Sequence, residues 1–442
     1  MSSRSLLPTA PAGRLAVRVV ALCWLAVLVD GLDLFVYGAV LPGLLADDTF
    51  GLDAATAGDI GSLTTFGMLL GALSSGLLSD RIGRRPIILV GVALFSVASA
   101  GCALAPDATA FGAARFAAGL GLGGLLPTAI SMVMEFAPQS HRNIAVTVLM
   151  TAHQAGGALA GSLARGIVEA LGWRSVFWLG ALPLVLVLPL LAALLPESIT
   201  FQLARGRRDR ADRAAARYGV DLADFTPAAV PDERTGLRGL FAPGLRRTTL
   251  LFWTGSFAGL LLVYGVSTWL PTMMRGAGYD LGSAVGFLVV INLGGIVGML
   301  VAGRLADRFG ARAVAVLWFA LTAVAVGLLA VRMPLPLTYT VVFVAGAWLF
   351  SAQTLVYAAV GATYPARNRA TAVGWVAGVG RLGAVAGPWV GGQLVAADAS
   401  RWGFVVFAVA GVVGAVMVGL ARPGRPARPV DPAEGSVSVP VH

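Results

Sequence analysis

Two aspartates interrupt the first long apolar stretch of this chain. Asp30 and Asp33 lie in the segment VLVDGLDLFVYGAVLP, which is otherwise apolar enough to cross a membrane. An ionised carboxylate at the centre of a bilayer costs about 2.5–3.5 kcal/mol on insertion scales, so such acids need a partner or a function. Their spacing places the two carboxylates on neighbouring faces of one helix. Because they repel each other in a low dielectric, the pair is suited to gaining and losing a proton.

Arg381 and His153 are charged or titratable side chains near the middle of other apolar stretches. Arg381 lies in GVGRLGAVAGP, and His153 lies in TAHQAGGALAG. Arginine keeps its charge and presents a planar fork that fits a carboxylate. We therefore predict that Arg381 binds a ligand carboxylate, with Asp30 or Asp33 as its partner in the empty site. A permanent structural Asp–Arg pair is the alternative. His153 could relay protons or make only a packing hydrogen bond.

The composition is that of a polytopic membrane protein. Of the 442 residues, 57% are hydrophobic and only 12% are charged, and the mean hydropathy is +0.82. The net charge of +10 comes from arginines in short loops between apolar segments, which indicates a membrane surface and predicts no nucleic-acid partner. Cys23 and Cys102 both lie in apolar segments, so neither a disulfide nor a metal site is predicted. The sequence has no ATP-binding loop or nucleophile constellation, so we predict no catalytic residues, metal or enzymatic activity.

Twelve apolar segments are long enough to cross about 30 Å of hydrocarbon. They fall near residues 18–45, 57–79, 86–105, 109–136, 143–169, 174–195, 247–274, 283–304, 312–331, 336–360, 369–396 and 402–421. This pattern predicts an N-terminal six-helix bundle (1–195), a cytoplasmic linker (196–246), a C-terminal six-helix bundle (247–421) and a disordered cytoplasmic tail (422–442). Most arginines fall on the side of the termini, which predicts a multi-pass protein of the bacterial cytoplasmic membrane with both termini cytoplasmic.

The two predicted bundles repeat each other in sequence. GLLSDRIGRR (Gly76–Arg85) matches GRLADRFGAR (Gly303–Arg312), and the same offset relates Pro138 to Pro365. One offset that holds at several places indicates an internal duplication, and parallel repeats surround a midplane site in transporters of this build. The offset also relates Arg381 to Gln154, so Gln154 joins the predicted binding site.

Three motifs carry a resemblance to a known family. The loop GLLSDRIGRRP resembles the signature of the major facilitator superfamily, and Arg115 with Gly119 resembles a second superfamily motif. DGLDLFVYG, together with RFAAGLGLGGLLP, resembles the aromatic acid:proton symporter family within it. The resemblance implies an all-α membrane protein of twelve transmembrane helices in two pseudo-symmetric bundles. It also implies proton-coupled uptake of small aromatic carboxylates by alternating access, driven by the proton gradient without a cofactor. Benzoate-like acids and aromatic amino acids such as tyrosine are the implied substrates.

The same resemblance extends the set of predicted site residues. Tyr264, Tyr357 and Trp269 could hold an aromatic ring, and Gln353 and Asn292 could bind a ring hydroxyl. Asp30, Asp33 and His153 are the predicted proton-coupling residues. The predicted contacts of a cytoplasmic gate are Asp80, Arg81, Arg85, Glu135, Asp307 and Arg308.

Other functions remain compatible with the sequence. One is export of an aromatic metabolite or a drug-like compound, although the fifth span, HQAGGALAGSLARG, has no proline and so lacks the Gly-Pro motif frequent in proton antiporters. A transport-inactive sensor of aromatic ligands is a second, and a carrier of non-aromatic carboxylates is a third. The expected partners are the substrate, protons and the lipid bilayer, and we expect a monomer.

Overall fold

The computed structural model describes residues 10–48, 50–218, 220–225, 237–242 and 244–421. Within these residues every regular element is a helix. A helix satisfies its own backbone N–H and C=O groups, as hydrocarbon surroundings require. The predicted fold class is confirmed, whereas the predicted tail at 422–442 lies outside the described residues.

The first half of the chain forms seven helices. They are α1 (Ala10–Leu44), α2 (Ala54–Ile82), α3 (Arg84–Leu104), α4 (Ala108–Phe136), α5 (Arg142–Leu171), α6 (Arg174–Ala181) and α7 (Pro183–Leu194). Asp53 caps α2 by accepting a hydrogen bond from the backbone N–H of Thr56. That bond holds the pKa of the Asp53 carboxyl below its usual value.

The sixth predicted span is broken into α6 and α7. Pro183 has no N–H, so it cannot bond to the carbonyl of Leu179, and the N–H of Leu182 bonds there instead at 3.2 Å. A proline inside an apolar run leaves the span continuous across the membrane but interrupts the helix. The span predicted near 174–195 is therefore present as one membrane-length stretch, and only its helix is interrupted.

Within the described residues the linker carries two short α-helices, and the second half carries six long ones. The linker helices are α8 (Ile199–Ala204) and α9 (Arg208–Tyr218). The second half comprises α10 (Arg246–Gly276), α11 (Leu281–Phe309), α12 (Ala311–Leu328), α13 (Leu335–Thr363), α14 (Ala366–Ala396) and α15 (Ser400–Leu420).

Eleven helical stretches of the described residues are long and apolar enough to cross a membrane. The break at Pro183 lies inside one of them. Helix α14 is not among the eleven, although it has 31 residues, because Arg381, Gln393 and many glycines lower its hydropathy. With α14 included, the structure contains the twelve long segments that the sequence predicts.

The two halves meet mainly through three helix pairs, α2 with α14, α5 with α11, and α1 with α10. The internal repeat relates α2 to α11 and α5 to α14, so the first two pairs are copies of one packing arrangement. Glycines permit this close approach. At Gly58 an added Cβ would lie 2.9 Å from the Cα of Gly392.

Contacts between the halves concentrate on one side of the bundle. We call the side where α2 begins and α14 ends the distal face, and the side of the linker helices the linker face. At the distal face Ser62 donates a hydrogen bond to the carbonyl of Val385, at 2.7 Å, and Arg275 donates one to the carbonyl of Pro42, at 3.2 Å. At the linker ends of α2 and α14, Leu77 is 73% exposed and Trp375 is 41% exposed. The halves are therefore closed at the distal face and separated at the linker face.

Candidate functional site

A cavity lies between the two halves at mid-depth. Its volume is about 160 Å³, below the 300–1,000 Å³ typical of ligand pockets, so it suits a small ligand. Helices α1, α4 and α5 line it from the first half, and α10, α11, α13 and α14 from the second. The residues of the predicted binding site that line it are His153, Gln154, Tyr264, Gln353, Tyr357 and Arg381.

Of the described residues that line the cavity, Arg381 is the one with a charged side chain. Its Nη1 atom is buried and has no hydrogen-bond partner among the described residues. The side chains of Tyr264 and Tyr357 line the same cavity. Arg381 as a whole is half-buried. A buried donor without a partner is costly, so the position favours a ligand that brings a negative charge.

Asp30 lies behind the cavity wall beside His153. Asp30 is 2% exposed, and its Oδ2 lies 4.0 Å from Nε2 of His153. Its Oδ1 is buried without a hydrogen-bond partner in the described part of the chain. The approach depends on Gly31, where an added Cβ would lie 2.2 Å from the carbonyl oxygen of His153. The Asp-Gly pair thus brings an acid and an imidazole together at the α1–α5 crossing.

Asp33 occupies a different site inside the first half. Its Oδ2 accepts a hydrogen bond from Nη1 of Arg115 at 2.9 Å, and the two side chains are 0% and 1% exposed. The hydroxyl of Ser99 donates to Oδ1. The rings of Tyr37 and Phe177 flank the Arg115 guanidinium at 5.6 and 5.9 Å. The prediction that Arg381 could pair with Asp33 was wrong, because three residues along α1 turn Asp33 toward α3 and α4.

Arg381 also has no ion pair with Asp30 in this structure. Asp30 faces His153 at the distance given above, and no carboxylate of the described residues lies within salt-bridge distance of Arg381. The sequence left open a structural Asp–Arg pair as an alternative. Asp33 forms such a pair, but with Arg115 rather than with Arg381. The roles of these residues in proton coupling stay predictions.

Two predicted binding residues lie at helix crossings rather than in the cavity lining. Trp269 is fully buried and donates its ring N–H to the carbonyl of Pro388 at 2.7 Å. Asn292 is also fully buried and donates to the carbonyl of Leu288 at 2.8 Å, with its side chain against Gly157. The rotation of α10 and α11 about their axes turns both side chains into the packing between helices, so direct ligand contact by either was a wrong placement.

The predicted gate residues that have contacts bind within one half. Arg84 pairs with Glu135, which also accepts from Ser198. Arg85 donates to the carbonyl of Ala192 near the end of α7, and its repeat equivalent, Arg312, donates to the carbonyl of Ala421 after α15 at 2.7 Å. These arginines bind carbonyls at helix C-termini, where positive charge is favourable. Asp80, Arg81, Asp307 and Arg308 are exposed at the linker face, and their role in a gate stays a prediction.

Polar residues that the sequence analysis missed also face this region. Ser256 accepts a hydrogen bond from Nε2 of Gln353 at 3.0 Å. Ser267 lines the cavity, and its Oγ is buried without a partner in the described residues. Single serines in apolar helices carry no spacing signal, so only the three-dimensional packing reveals them. The Arg115–Asp33 pair could have been predicted more easily from the sequence, because both residues belong to recognised motifs.

Comparisons with known proteins agree on one family. The sequence model of the Major Facilitator Superfamily matches residues 23–299 and 282–440. The benzoate transport protein of Acinetobacter baylyi is 34% identical over 391 residues, covering 86% of this chain and 83% of the relative. The gentisate transporter of Corynebacterium glutamicum is 37% identical over 376 residues, covering 84% and 80%. The 3-(3-hydroxy-phenyl)propionate transporter of Escherichia coli is 34% identical over 418 residues, covering 93% and 94%.

Solved structures show the same fold. The partially occluded, inward-open xylose transporter XylE of E. coli matches with a TM-score of 0.72 at 17% identity, covering 91% of this chain and 98% of that one. A bacterial homologue of the human lysosomal transporter Spinster, inward-facing and unoccupied, matches with a TM-score of 0.67 at 18% identity, covering 94% and 98%.

Proposed function

The chain belongs to the major facilitator superfamily, in a family of aromatic acid transporters, and we propose that it takes up small aromatic carboxylates together with protons. It is a transporter rather than an enzyme. The proposed location is the bacterial cytoplasmic membrane, with both termini and the linker face on the cytoplasmic side. Alternating access would carry the substrate past the central cavity as the two halves rock around it.

The observation that carries this proposal is the buried Nη1 atom of Arg381, which has no hydrogen-bond partner among the described residues, in a cavity lined by aromatic rings. The substrate carboxylate would accept hydrogen bonds from Arg381, and the ring would pack among Phe35, Tyr264, Phe350 and Tyr357. Relatives named for benzoate, gentisate and 4-hydroxybenzoate transport support a single-ring acid. A cavity of about 160 Å³ is in keeping with that size.

Unpartnered oxygen atoms favour ring hydroxyls as a second recognition feature. The Oε1 atoms of Gln154 and Gln353 and the Oγ of Ser267 are buried in the lining without partners among the described residues. Each can accept a hydrogen bond from a phenolic hydroxyl. The lining has no carboxylate, so it offers no direct counter-charge to the ammonium group of an amino acid. The site therefore favours hydroxylated benzoate-like acids over tyrosine.

Proton coupling would arise because the substrate and Asp30 share one positive charge. Asp30 lies beside His153, which lines the same cavity as Arg381. A bound carboxylate neutralises the charge of Arg381, which removes part of the stabilisation of ionised Asp30 and favours its protonation. His153, 4.0 Å from Asp30, offers a second proton site toward the cavity. Substrate and proton would thus bind together and leave together.

Transport assays in proteoliposomes test the proposal. With radiolabelled 4-hydroxybenzoate, we expect accumulation when the exterior is made acidic and collapse of accumulation when a protonophore is added. Accumulation that requires an alkaline exterior would contradict symport and support the exporter alternative. Saturable binding without any counterflow would support the sensor alternative.

A further inference from the structure

A second pocket lies at the linker face, between the first half and the linker helices. It has a volume of about 390 Å³ and lies where α7 ends, α8 begins and α9 packs alongside. Its charged lining consists of Arg85, Arg210, Arg213, Arg217 and Glu197. It is distant from the central cavity and shares no lining residue with it.

Helix α9 presents one stripe of arginines to this pocket. Its small residues Ala211 and Ala215 are buried against the protein. Arg210, Arg213 and Arg217 recur at the spacing of a helical face, and all three line the pocket. The sequence ARGRRDRADRAAARYG therefore encodes a helix whose buried face anchors it and whose basic face meets the end of α7.

The positive charge in the pocket is not neutralised by the protein. None of the four lining arginines has a carboxylate within salt-bridge distance among the described residues, and Nε of Arg85 is buried without a partner. Glu197 is engaged elsewhere, since its Oε1 accepts the backbone N–H groups of Arg84 and Arg85 at 3.0 and 3.2 Å. The pocket thus has a surplus of guanidinium donors, which fit phosphate oxygens.

A buried acceptor lies beside these donors. Gln202 is 9% exposed and lines the pocket, and its Oε1 is buried without a partner in the described part of the chain. An amide oxygen can only accept hydrogen bonds, so its partner must be a donor such as a hydroxyl group. A ligand that combines a phosphate with a hydroxyl group would satisfy both features.

An apolar strip leads from the membrane to the pocket. Leu186, Leu190 and Leu194 lie along one side of α7 at intervals of one helical turn and are 64%, 39% and 37% exposed. The strip ends next to Ala193 and Leu195, which line the pocket. An acyl chain could lie along this strip while its headgroup occupies the pocket, as basic pockets at membrane interfaces bind anionic headgroups.

We propose that this pocket binds the glycerol-phosphate headgroup of an anionic phospholipid such as phosphatidylglycerol. The phosphate contacts Arg85 and the α9 arginines, and a headgroup hydroxyl donates to Gln202. Free glycerol phosphate has the same polar chemistry but no acyl chain for the apolar strip. Lipid binding would fasten the linker helices to the first half.

Native mass spectrometry of the full-length protein tests the proposal. Detergent-purified protein is titrated with phosphatidylglycerol and, separately, with phosphatidylcholine. We expect one tightly retained phosphatidylglycerol, and affinity about 30-fold weaker in the double variant Arg213→Gln/Arg217→Gln, at about 1 kcal/mol per arginine. The matched control Arg208→Gln/Arg238→Gln removes the same charge from linker residues outside the pocket and should bind as the unaltered protein does.

Each outcome decides between sources of the headgroup. Displacement of the lipid by millimolar glycerol phosphate, or binding of glycerol phosphate alone, would overturn the lipid assignment in favour of a soluble ligand. Equal loss in both double variants would overturn the pocket in favour of a general basic surface. If the double variant does not fold, Gln202→Leu serves instead, and it should weaken phosphatidylglycerol binding more than binding of phosphatidic acid, which lacks the headgroup glycerol. Binding is measured without transport, so failure of the proposed transport function leaves this test intact.

Discussion

Arg381 lines the central cavity and has a buried Nη1 atom without a hydrogen-bond partner among the described residues. A ligand carboxylate can accept a hydrogen bond from this buried donor, and a neutral analogue brings no negative charge to it. Arg381 should therefore favour an acid over its neutral analogue. One substitution at this position therefore tests carboxylate recognition.

We expect Arg381→Ala to weaken binding of 4-hydroxybenzoate by at least about 30-fold, because losing one partner of a desolvated charge pair costs about 2–5 kcal/mol. Binding of the neutral 4-hydroxybenzamide should change little. Isothermal titration calorimetry of both ligands measures the difference. Arg381→Lys is the matched control, since it keeps the charge but loses the planar fork and should fall between the two. Equal losses for acid and amide would contradict carboxylate recognition by this residue.

Asp30 and Asp33 differ only in the direction in which α1 turns them. Asp33 is bound by Arg115 and Ser99 inside the first half, whereas Asp30 faces His153 and has one oxygen without a partner. The first is a buried ion pair in which only Nε of Arg115 has no partner among the described residues. We predict that the second exchanges a proton. The same substitution should therefore change the stability of the protein at Asp33 and its proton coupling at Asp30.

Asp33→Asn should destabilise the protein by about 3–5 kcal/mol, because it leaves Arg115 buried without a counter-charge. Asp30→Asn should leave the unfolding temperature nearly unchanged, abolish accumulation driven by a proton gradient and preserve exchange across the membrane. Thermal unfolding and a comparison of uphill uptake with counterflow measure these effects. Gradient-driven uptake that survives in Asp30→Asn would rule out Asp30 as the coupling residue.

At the scale of helices, depth in the membrane was predictable but rotation about the helix axis was not. Apolar length and the internal repeat placed Asp30, His153 and Arg381 at similar depth, and His153 and Arg381 line the cavity. Residues three apart differ by about 60° around a helix, which is enough to send Asp33 to Arg115. Trp269 and Asn292 were misplaced for the same reason. Rotation depends on which glycines permit close approach, and that depends on both helices of a pair.

The loop motifs show a similar division between what sequence and packing determine. Their repetition predicted the duplication, and their charged residues were predicted to form the contacts of a cytoplasmic gate. In the structure Arg85 and Arg312 bind carbonyl groups at the C-terminal ends of α7 and α15. Each arginine thus ties the start of the third helix of its half to the end of the last. The positive charge of these side chains suits the C-terminal end of a helix, but only the packing shows which helix provides that end.

At the scale of the whole molecule, closure of the distal face depends on backbone contact between the halves. Gly58 of α2 and Gly392 of α14 lie so close that an added Cβ at either would approach the Cα of the other within 2.9 and 2.7 Å. The linker ends of the same helices have separated. If the halves move as rigid bodies, blocking contact at one face should bring them together at the other.

Gly58→Val should hold the distal face apart and shift the molecule toward closure of the linker face, with loss of uptake. Spin labels at Leu77→Cys and Trp375→Cys report the linker face, and a second pair at Ala55→Cys and Ala397→Cys reports the distal face. Cys23 and Cys102 are buried and should stay unlabelled. In Gly58→Val we expect a shorter distance for the first pair and a longer one for the second.

The control for that experiment is Gly361→Val in α13, where an added Cβ meets nothing within 4 Å. It makes the same change of residue type within a helix and should leave both distances as in the unaltered protein. Saturating 4-hydroxybenzoate should shorten the linker-face distance without any substitution, because the occluded state holds the substrate between both halves. Unchanged distances in Gly58→Val would show that the halves bend locally, and rigid-body rocking about the central cavity would then be wrong.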